Sequence, residues 1–262
     1  MAKVIAIVNQ KGGVGKTTTA VNLGAGLVRK GKRVLMIDMD TQANLTMALG
    51  YKYPDELKYT VMNVMSLALH DERIDPKKGI LINNEKIELL PSNVRMQGFE
   101  GMLVAAAANE YLLKEFVDAA RNRYDYIIID CSPSLSVLTR NALVAADSVL
   151  IPVEPQYFAM QGLVVILRMI YAMRQETNHN LCIEGILIVR KDNRSYYKRD
   201  VIETLRKTYG QYMTIYQTEL PSSVRATESA DLGMSLYAYQ RWCRLAKAYA
   251  RFVNEVIRAN EH

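Results

Sequence analysis

Residues 9–18 have the sequence Asn9-Gln10-Lys11-Gly12-Gly13-Val14-Gly15-Lys16-Thr17-Thr18. This segment follows an apolar run, Lys3–Asn9, and precedes a run with helical spacing that Gly31 is expected to end. A strand, a glycine-rich loop and a helix in this order form a phosphate-binding loop. The glycines let backbone N–H groups surround phosphate oxygens, and the helix N-terminus adds its positive dipole. The segment therefore predicts a nucleotide-binding α/β protein.

The side chains of this loop have separate expected roles. Lys16 is expected to reach the β- and γ-phosphates, and the hydroxyl of Thr17 is expected to ligate Mg²⁺. The standard pattern GxxxxGK[ST] has its first glycine where this chain has Gln10, and a second lysine, Lys11, precedes the glycines. The loop is therefore a variant of the phosphate-binding motif. The predicted nucleotide contacts are Gly12, Gly13, Val14, Gly15, Lys16, Thr17 and Thr18.

Two further apolar runs end in carboxylates. Asp38 and Asp40 lie two residues apart at the end of one run, so both point to one side of the chain. Asp130 ends another run, Tyr126–Asp130, which is the Walker B arrangement. Open α/β sheets bind ligands at the carboxyl ends of their strands. Phosphoryl transfer needs a positioned water and compensated charge rather than a covalent nucleophile, so these carboxylates complete the predicted site.

Short apolar runs alternate with longer helical patterns along the whole chain. Most of these runs are continuously apolar, as expected for parallel strands that are covered on both faces. The predicted fold class is α/β, with a doubly wound, mostly parallel sheet and helices on both faces, in a single P-loop ATPase domain spanning residues 1–262. The predicted strands are Lys3–Asn9, Arg33–Asp38, Lys86–Pro91, Tyr126–Asp130, Ser148–Val153, Ile183–Val189 and Met213–Thr218.

Helical spacing predicts core-facing stripes in three places, and residues 50–85 are expected to be the most irregular region. The predicted stripes consist of Ala20, Leu23, Leu27 and Val28, of Leu163, Ile166, Leu167, Ile170 and Tyr171, and of Trp242, Leu245, Tyr249, Phe252, Val253 and Val256.

The three cysteines, Cys131, Cys182 and Cys243, lie far apart in the sequence without a CxxC pair. We therefore predict that they are buried small hydrophobic residues rather than a metal site.

Composition and charge restrict the class of protein. Half of the residues are hydrophobic and 23% are charged, which predicts a well-buried core. We expect a cytoplasmic protein, because no export signal precedes residue 9 and no apolar run has the roughly 20 residues of a membrane span. The net charge is +6, and residues 190–262 hold 13 Lys and Arg against 8 Asp and Glu. This asymmetry predicts a basic face for an anionic partner.

The order of these motifs resembles that of the ParA/MinD superfamily, and the resemblance covers essentially the whole chain. Within the superfamily, the chain is most similar to the Soj-like ParA branch of deviant Walker A ATPases. The matching segments are Lys11-Gly12-Gly13-Val14-Gly15-Lys16-Thr17-Thr18, Ile37-Asp38-Met39-Asp40-Thr41-Gln42-Ala43-Asn44, Asp125-Tyr126-Ile127-Ile128-Ile129-Asp130-Cys131-Ser132-Pro133-Ser134, Pro152-Val153 and Glu219-Leu220-Pro221-Ser222-Ser223-Val224-Arg225.

The resemblance implies ATP and Mg²⁺ as ligands and an ATP-dependent homodimer. The implied catalytic residues are Lys11, Lys16 and Asp40: Lys11 reaches across the interface to the partner's phosphates, and Asp40 orients the attacking water. Asp38 and Asp130 would hold Mg²⁺ through waters, with Thr17 as a further ligand. Pro221 and its neighbours would line the adenine pocket.

The resemblance also implies partners. Its basic positions match Arg194 and Arg225, which would bind double-stranded DNA without sequence preference in a nucleoid-associated dimer. A ParB-like centromere-binding protein would stimulate ATP hydrolysis. Membrane binding is not expected, because the segment Asn254–His262 offers little apolar surface.

Some positions depart from the family pattern, and alternatives remain. Thr41 and Ala43 replace the usual Pro and Gly, Ser132 replaces a usual Pro, and Arg190-Lys191 replaces a usual uncharged pair. The main alternative is a MinD-like ATPase that positions a protein cargo on a membrane. A cluster-carrying enzyme is disfavoured, because the chain has no paired cysteines at the motif positions.

Overall fold

The computed structural model describes residues 1–105, 110–156, 159–192 and 195–261. Within these ranges, the strands are β1 (Lys3–Ile7), β2 (Val34–Met39), β3 (Leu81–Ile82), β4 (Glu88–Leu90), β5 (Tyr126–Cys131), β6 (Ser148–Val153) and β7 (Cys182–Ile188). The helices are α1 (Lys16–Arg29), α2 (Asn44–Ala48), α3 (Val61–Leu69), α4 (Arg95–Ala105), α5 (Leu112–Ala120), α6 (Val137–Ala145), α7 (Ala159–Glu176), α8 (Tyr196–Tyr209), α9 (Arg225–Asp231), α10 (Leu236–Gln240) and α11 (Arg244–Asn260).

The strands form one seven-stranded sheet in the order β3-β4-β2-β5-β1-β6-β7, parallel except for the β3–β4 pair. Alternate residues of each central strand enter different hydrophobic cores. In β1, Val4 and Ala6 pack into one core, whereas Ile5 and Ile7 pack into the other. Two covered faces explain why the predicted strands were continuously apolar. The predicted doubly wound α/β fold is confirmed.

The predicted strand Met213–Thr218 is wrong. Only an isolated bridge joins Ile215 to Ile186 of β7. The guanidinium of Arg206 donates to the carbonyls of Ile215 and Tyr216, and the carboxylate of Glu255 accepts the N–H groups of Gln217 and Thr218. Side chains thus satisfy the backbone groups that a further strand would use.

Residues 50–85 are more regular than expected, because they contain α3 and β3. Thr60 and Asn63 form a capping box at the start of α3. Val61 and Val64 are fully buried against the sheet. The sequence signal was the Thr60-x-x-Asn63 spacing, in which Asn replaces the usual Glu or Gln.

Helix α1 packs unusually close to its neighbours. A Cβ atom at Gly26 would lie 2.5 Å from Cγ2 of Val253 in α11, so this position has no room for a side chain. Tyr249 of α11 bonds to Thr19 through their hydroxyls at 3.2 Å. As predicted, the helix ends just before Gly31, which has a φ of 78°.

Two residues of the predicted core stripes lie outside the core. Trp242 is 70% exposed, because Cys243 accepts a hydrogen bond from Ala246 N and so caps α11 after the tryptophan. Tyr171 is 66% exposed on the outer side of α7, whereas its neighbour Ile170 is buried. The other aromatic members, Tyr249 and Phe252, are buried as predicted.

The cysteines differ in burial. Cys131 is buried at the end of β5, as predicted. Cys182 is exposed at the start of the edge strand β7, and Cys243 is half-buried, so the prediction of burial is wrong for Cys182 and only partly right for Cys243. In the described ranges, no helix is both long and apolar enough to cross a bilayer.

Candidate nucleotide-binding site

The phosphate-loop segment connects β1 to α1 in a conformation that needs glycine. Gly13 and Gly15 have φ values of 68° and 85°, in the left-handed region that side chains disfavour. A Cβ atom at Gly12, Gly13 or Gly15 would meet no atom within 4 Å, so the loop borders open space. No side chain caps the N-terminus of α1 at Gly15, and its first N–H groups are therefore available to an anion.

A cavity of about 370 Å³ lies against this loop. It is wide enough for a nucleotide, and loop residues form one wall, with Asp40 beside them. Residues of α9 and of the turn after it also line the cavity, and no sequence motif indicates this wall. The lining residues not predicted are Val21, Asn22, Asn44, Ala48, Cys131, Pro133, Arg190, Ala226, Ser229, Ala230 and Met234.

Lys16 is held at the base of this cavity. It is only 7% exposed, and its Nζ donates to the carbonyl oxygen of Lys11 at 3.3 Å. Burial lowers the pKa of Lys16, an effect that the charge of Asp130 partly offsets. A phosphate group would supply the negative charge that this buried ammonium lacks.

The carboxylates of Asp38 and Asp130 lie on neighbouring strands. The two residues are register partners of β2 and β5, and both are fully buried. Burial raises the pKa of Asp38 to about 7, and burial together with the charge of Asp38 raises that of Asp130 well above its ordinary value. Two adjacent buried carboxylates favour a bound cation, which would compensate both charges.

The two carboxylates differ in which oxygens are free. Asp130 accepts a hydrogen bond from the Thr17 hydroxyl at 2.7 Å, and its other oxygen, Oδ1, is buried without a hydrogen-bond partner among the described residues. Asp38 accepts from the N–H and hydroxyl of Thr46 through Oδ2, and from Asp40 N through Oδ1. The Thr17–Asp130 pair therefore fits a hydrated Mg²⁺, whereas Asp38 also fixes the start of α2.

Asp40 faces the cavity from the turn that follows β2. Its carboxylate accepts from Gln42 N at 3.0 Å and from Nδ2 of Asn44 at 2.6 Å. Ala43, which stands where the family has glycine, keeps a left-handed φ of 53°. The turn thus retains a glycine-like conformation, and Asp40 is oriented by two donors.

Lys11 points away from this cavity. Its Nζ lies 2.9 Å from Oε2 of Glu154 and 2.5 Å from Oε1 of Gln156. With Val14, it lines a separate groove of about 480 Å³ beside the start of α7. The two lysines of the loop therefore face different surfaces, although they are five positions apart.

Pro221, predicted to line the adenine pocket, and Arg225, predicted to bind DNA, do not line the cavity. Pro221 forms a bridge with Lys191 and is not part of the cavity lining, where α9 takes the place expected for it. Arg225, the first residue of α9, forms an ion pair with Glu228 at 2.7 Å. Arg194 lies outside the described residues.

The unpredicted wall has a weak sequence signal. Ala226, Ser229 and Ala230 are small and lie at positions i, i+3 and i+4 of α9, so they share one face of the helix. Small side chains on one face leave room for a flat ligand. A seven-residue helix is too short for its spacing to be distinctive, which is why the sequence alone did not reveal it.

Comparisons with known proteins agree with this geometry. The family model described as an AAA domain matches residues 2–183. The sporulation initiation inhibitor protein Soj of Bacillus subtilis is 40% identical over 256 residues, covering 98% of each chain. The chromosome partitioning protein ParA of Caulobacter vibrioides is 35% identical over 257 residues, covering 97% of this chain and 94% of ParA.

A solved structure supports the ligands. Cobyrinic acid a,c-diamide synthase from Mycobacterium smegmatis, crystallised with ADP and magnesium, is 35% identical with a TM-score of 0.84, covering 98% of this chain and 95% of the synthase. The protein is an ATPase that uses ATP and Mg²⁺. With its motifs, fold and relatives in agreement, the chain belongs to the ParA/Soj family of partition ATPases.

Proposed function

We propose that Mg·ATP assembles this protein, a single domain over residues 1–262, into a sandwich dimer that binds double-stranded DNA without sequence preference. Hydrolysis, stimulated by a ParB-like centromere-binding partner, releases the DNA. The protein is then a nucleoid-associated ATPase of the bacterial cytoplasm. The observation that carries the DNA part of this proposal is a stripe of exposed cations along α11 that form no ion pair with any described residue.

The chemistry follows from how the chain holds the nucleotide. The N–H groups of residues 12–18 and the ammonium of Lys16 hold the phosphates, and Thr17 with Asp130 holds Mg²⁺, with Asp38 beside them. Mg²⁺ supplies compensation for phosphate charge when it is bound. Asp40, oriented by Gln42 N and Asn44, positions the attacking water. The small-residue face of α9 accommodates the base, with the segment around Pro221 as its outer neighbour.

The orientation of Lys11 supports a role across the dimer interface. Its ammonium lies outside its own nucleotide cavity, on Glu154 and Gln156, and its side chain is 45% exposed. A cation placed on a partner's phosphates would act like an arginine finger and couple hydrolysis to assembly. Lys11 is therefore the proposed trans-acting residue.

The cationic stripe on α11 has the spacing of one helix face. Arg244, Lys247, Arg251 and Arg258 are all exposed, and within the described part of the chain none of them pairs with a carboxylate. Lys247 and Arg241 also lie over the exposed ring of Trp242, at 5.8 Å and 4.8 Å. Unpaired cations release counterions when they contact DNA phosphates, which gives affinity without sequence preference.

Arg194 and Arg225 remain proposed DNA contacts. Arg225 must exchange Glu228 for a phosphate, and because that pair is exposed the exchange costs little. A dimer holds two basic surfaces together. Once one surface binds a duplex, the other is therefore at high effective concentration for the same duplex. The proposed dependence of DNA binding on ATP follows from this avidity.

The membrane alternative has less support in the structure. A peripheral membrane helix needs a free apolar face. In α11, Phe252, Val253 and Val256 are buried in the core, where Val253 meets α1. The exposed face of this helix is cationic rather than apolar.

A gel-shift series tests the proposal directly. The protein is titrated onto two unrelated duplexes with ATP, with ADP and without nucleotide. Shifts of both duplexes with ATP alone are expected. Equal shifts in all three states contradict the nucleotide switch, and no shift in any state assigns the α11 stripe to a different anionic partner.

A further inference from the structure

Glu154 lies immediately after β6, opposite the phosphate loop. It is only 8% exposed, and Oε2 accepts the hydrogen bond from Lys11 Nζ at 2.9 Å. Glu154 belongs to none of the phosphate-site motifs. Its position nevertheless gives it a role. It holds Lys11 within its own subunit, whereas the proposed dimer needs Lys11 at the phosphates of the partner subunit.

Two further cations approach the same carboxylate. Nη1 of Arg190 lies 3.9 Å from Oε2, and Nζ of Lys198 lies 3.8 Å from Oε1. Lys198 also donates to the carbonyl oxygen of Arg190 at 3.1 Å. The three cations come from the phosphate loop, from the end of β7 and from α8, so one buried carboxylate connects three separate elements.

This arrangement allows Lys11 to leave. Burial alone would raise the pKa of Glu154, but the hydrogen bond and charge of Lys11, together with Arg190 and Lys198, hold that pKa below its ordinary value. A buried carboxylate that loses its only partner is strongly destabilised. Glu154 keeps two cations within 4 Å when Lys11 departs, so it is not left unpaired.

Arg190 connects this cluster with the nucleotide. Arg190 is one of the residues that line the nucleotide cavity, and its guanidinium faces Glu154. Its backbone has a φ of 52°, a left-handed conformation that costs energy in a non-glycine residue. Position 190 is also one where this chain departs from the family pattern, so the cluster contains a feature of this chain in particular.

We propose that Glu154 is a positioning residue that holds Lys11 in the monomer and competes for it with the phosphates of the neighbouring subunit, thereby setting the protein concentration at which the ATP dimer forms. This inference rests on the proposed dimer. It adds that Glu154 competes for Lys11 and so weakens assembly of the dimer. Lys11 leaves Glu154 when both nucleotide and a second subunit are present.

The size of the effect follows from exposure. The Lys11 side chain is 45% exposed, and half-exposed ion pairs are weak, each corresponding to at most about a fivefold change in an equilibrium. A dimer releases two such lysines. Removing the Glu154 carboxylate is therefore expected to lower the dimer dissociation constant about 3- to 20-fold.

The test measures dimer dissociation by sedimentation velocity with saturating Mg·ATP, in Asp40→Ala protein to limit hydrolysis. Glu154→Gln is expected to give the 3- to 20-fold tighter dimer, and Glu154→Asp should restore most of the original value. Glu110→Gln is the matched control, because Glu110 is also a mostly buried carboxylate that pairs with an arginine, Arg140. An unchanged or weaker dimer for Glu154→Gln overturns the proposal.

A second comparison separates positioning from structural damage. In a Lys11→Ala background, Glu154→Gln should leave the residual dimer association unchanged, since the Lys11 ammonium that Glu154 would hold is then absent. An equal effect in both backgrounds overturns the proposal. If the Asp40→Ala parent itself stays monomeric with Mg·ATP, the proposed dimer has failed, and that result is distinct from either outcome for Glu154.

Discussion

The hydroxyl of Thr17 donates a 2.7 Å hydrogen bond to Asp130, a residue 113 positions away in sequence. This bond joins the first turn of α1 to the end of β5 and fixes the phosphate loop against the sheet. The remaining oxygen of Asp130, Oδ1, is buried and bonds to no group in the part of the chain that the structure describes. Because Thr17 binds Oδ2 of Asp130, Oδ1 is left for a hydrated cation.

Loss of the Lys16 ammonium should abolish nucleotide binding. Hydrogen bonds to charged groups contribute about 1.5–3 kcal/mol each, so losing two of them predicts at least a ~100-fold weaker affinity for ATP in Lys16→Ala. Isothermal titration calorimetry measures this affinity. Lys30→Ala, which removes an exposed lysine at the end of α1, should bind ATP normally. Unaltered binding by Lys16→Ala would show that the phosphate-loop assignment is wrong.

Removal of the Asp40 carboxylate should separate binding from hydrolysis. Asp40→Ala keeps the phosphate loop, so its ATP affinity should change little, whereas the turnover rate should fall about 10²- to 10⁴-fold. Phosphate release and light scattering together provide the measurement, and a persistent dimer with Mg·ATP is expected. Rapid turnover in this variant would remove Asp40 from the water-positioning role.

The cations of α11 should determine the salt dependence of DNA binding. Each lost phosphate contact lowers the slope of log affinity against log salt by about 0.9, so Arg244→Ala and Lys247→Ala together should flatten it by about 2 per subunit. Lys207→Ala is the control, because Lys207 is exposed but already paired with Glu203 at 2.6 Å. An unchanged slope in the double variant would exclude this face of α11 from the DNA contact.

Gly26 should be required for the packing of α1 against α11. A Cβ atom there would lie 2.5 Å from Cγ2 of Val253, so Gly26→Ala should lower the free energy of unfolding by about 1–3 kcal/mol despite the better helix propensity of Ala. Gly98→Ala in α4 meets no atom within 4 Å and should instead raise it by about 0.5–1 kcal/mol. Urea unfolding compares the two. Equal effects of the two substitutions on the free energy of unfolding would show that the close packing of α1 against α11 does not exclude a side chain at position 26.

Sequence motifs predicted the parts of the site that need a particular residue type. Gly13 and Gly15 provide left-handed backbone, Lys16 and Thr17 follow them, and Asp130 ends a buried strand. These features depend on local chain geometry and on the carboxyl edge of a parallel sheet, so spacing alone locates them. The same reasoning placed the central strands correctly.

Contacts between distant segments were not predictable in the same way. The partnership of Lys11 with Glu154 spans 143 residues and requires the β1–β6 pairing to bring their ends together. The predicted strand at Met213–Thr218 failed because the side chains of Arg206 and Glu255 satisfy its backbone, which apolar periodicity does not reveal. Tertiary partners, rather than local preference, decided both cases.

DNA is expected to bind to the ATP dimer and not to the monomer. Sedimentation velocity with a labelled duplex measures protein dimer and bound DNA in the same sample as Asp40→Ala protein is titrated with Mg·ATP. Bound DNA should rise together with the dimer, and Asp40→Ala Lys11→Ala protein should form neither the dimer nor the DNA complex at the same concentrations. Full DNA binding by that double variant while it remains monomeric would show that DNA binding does not depend on the dimer.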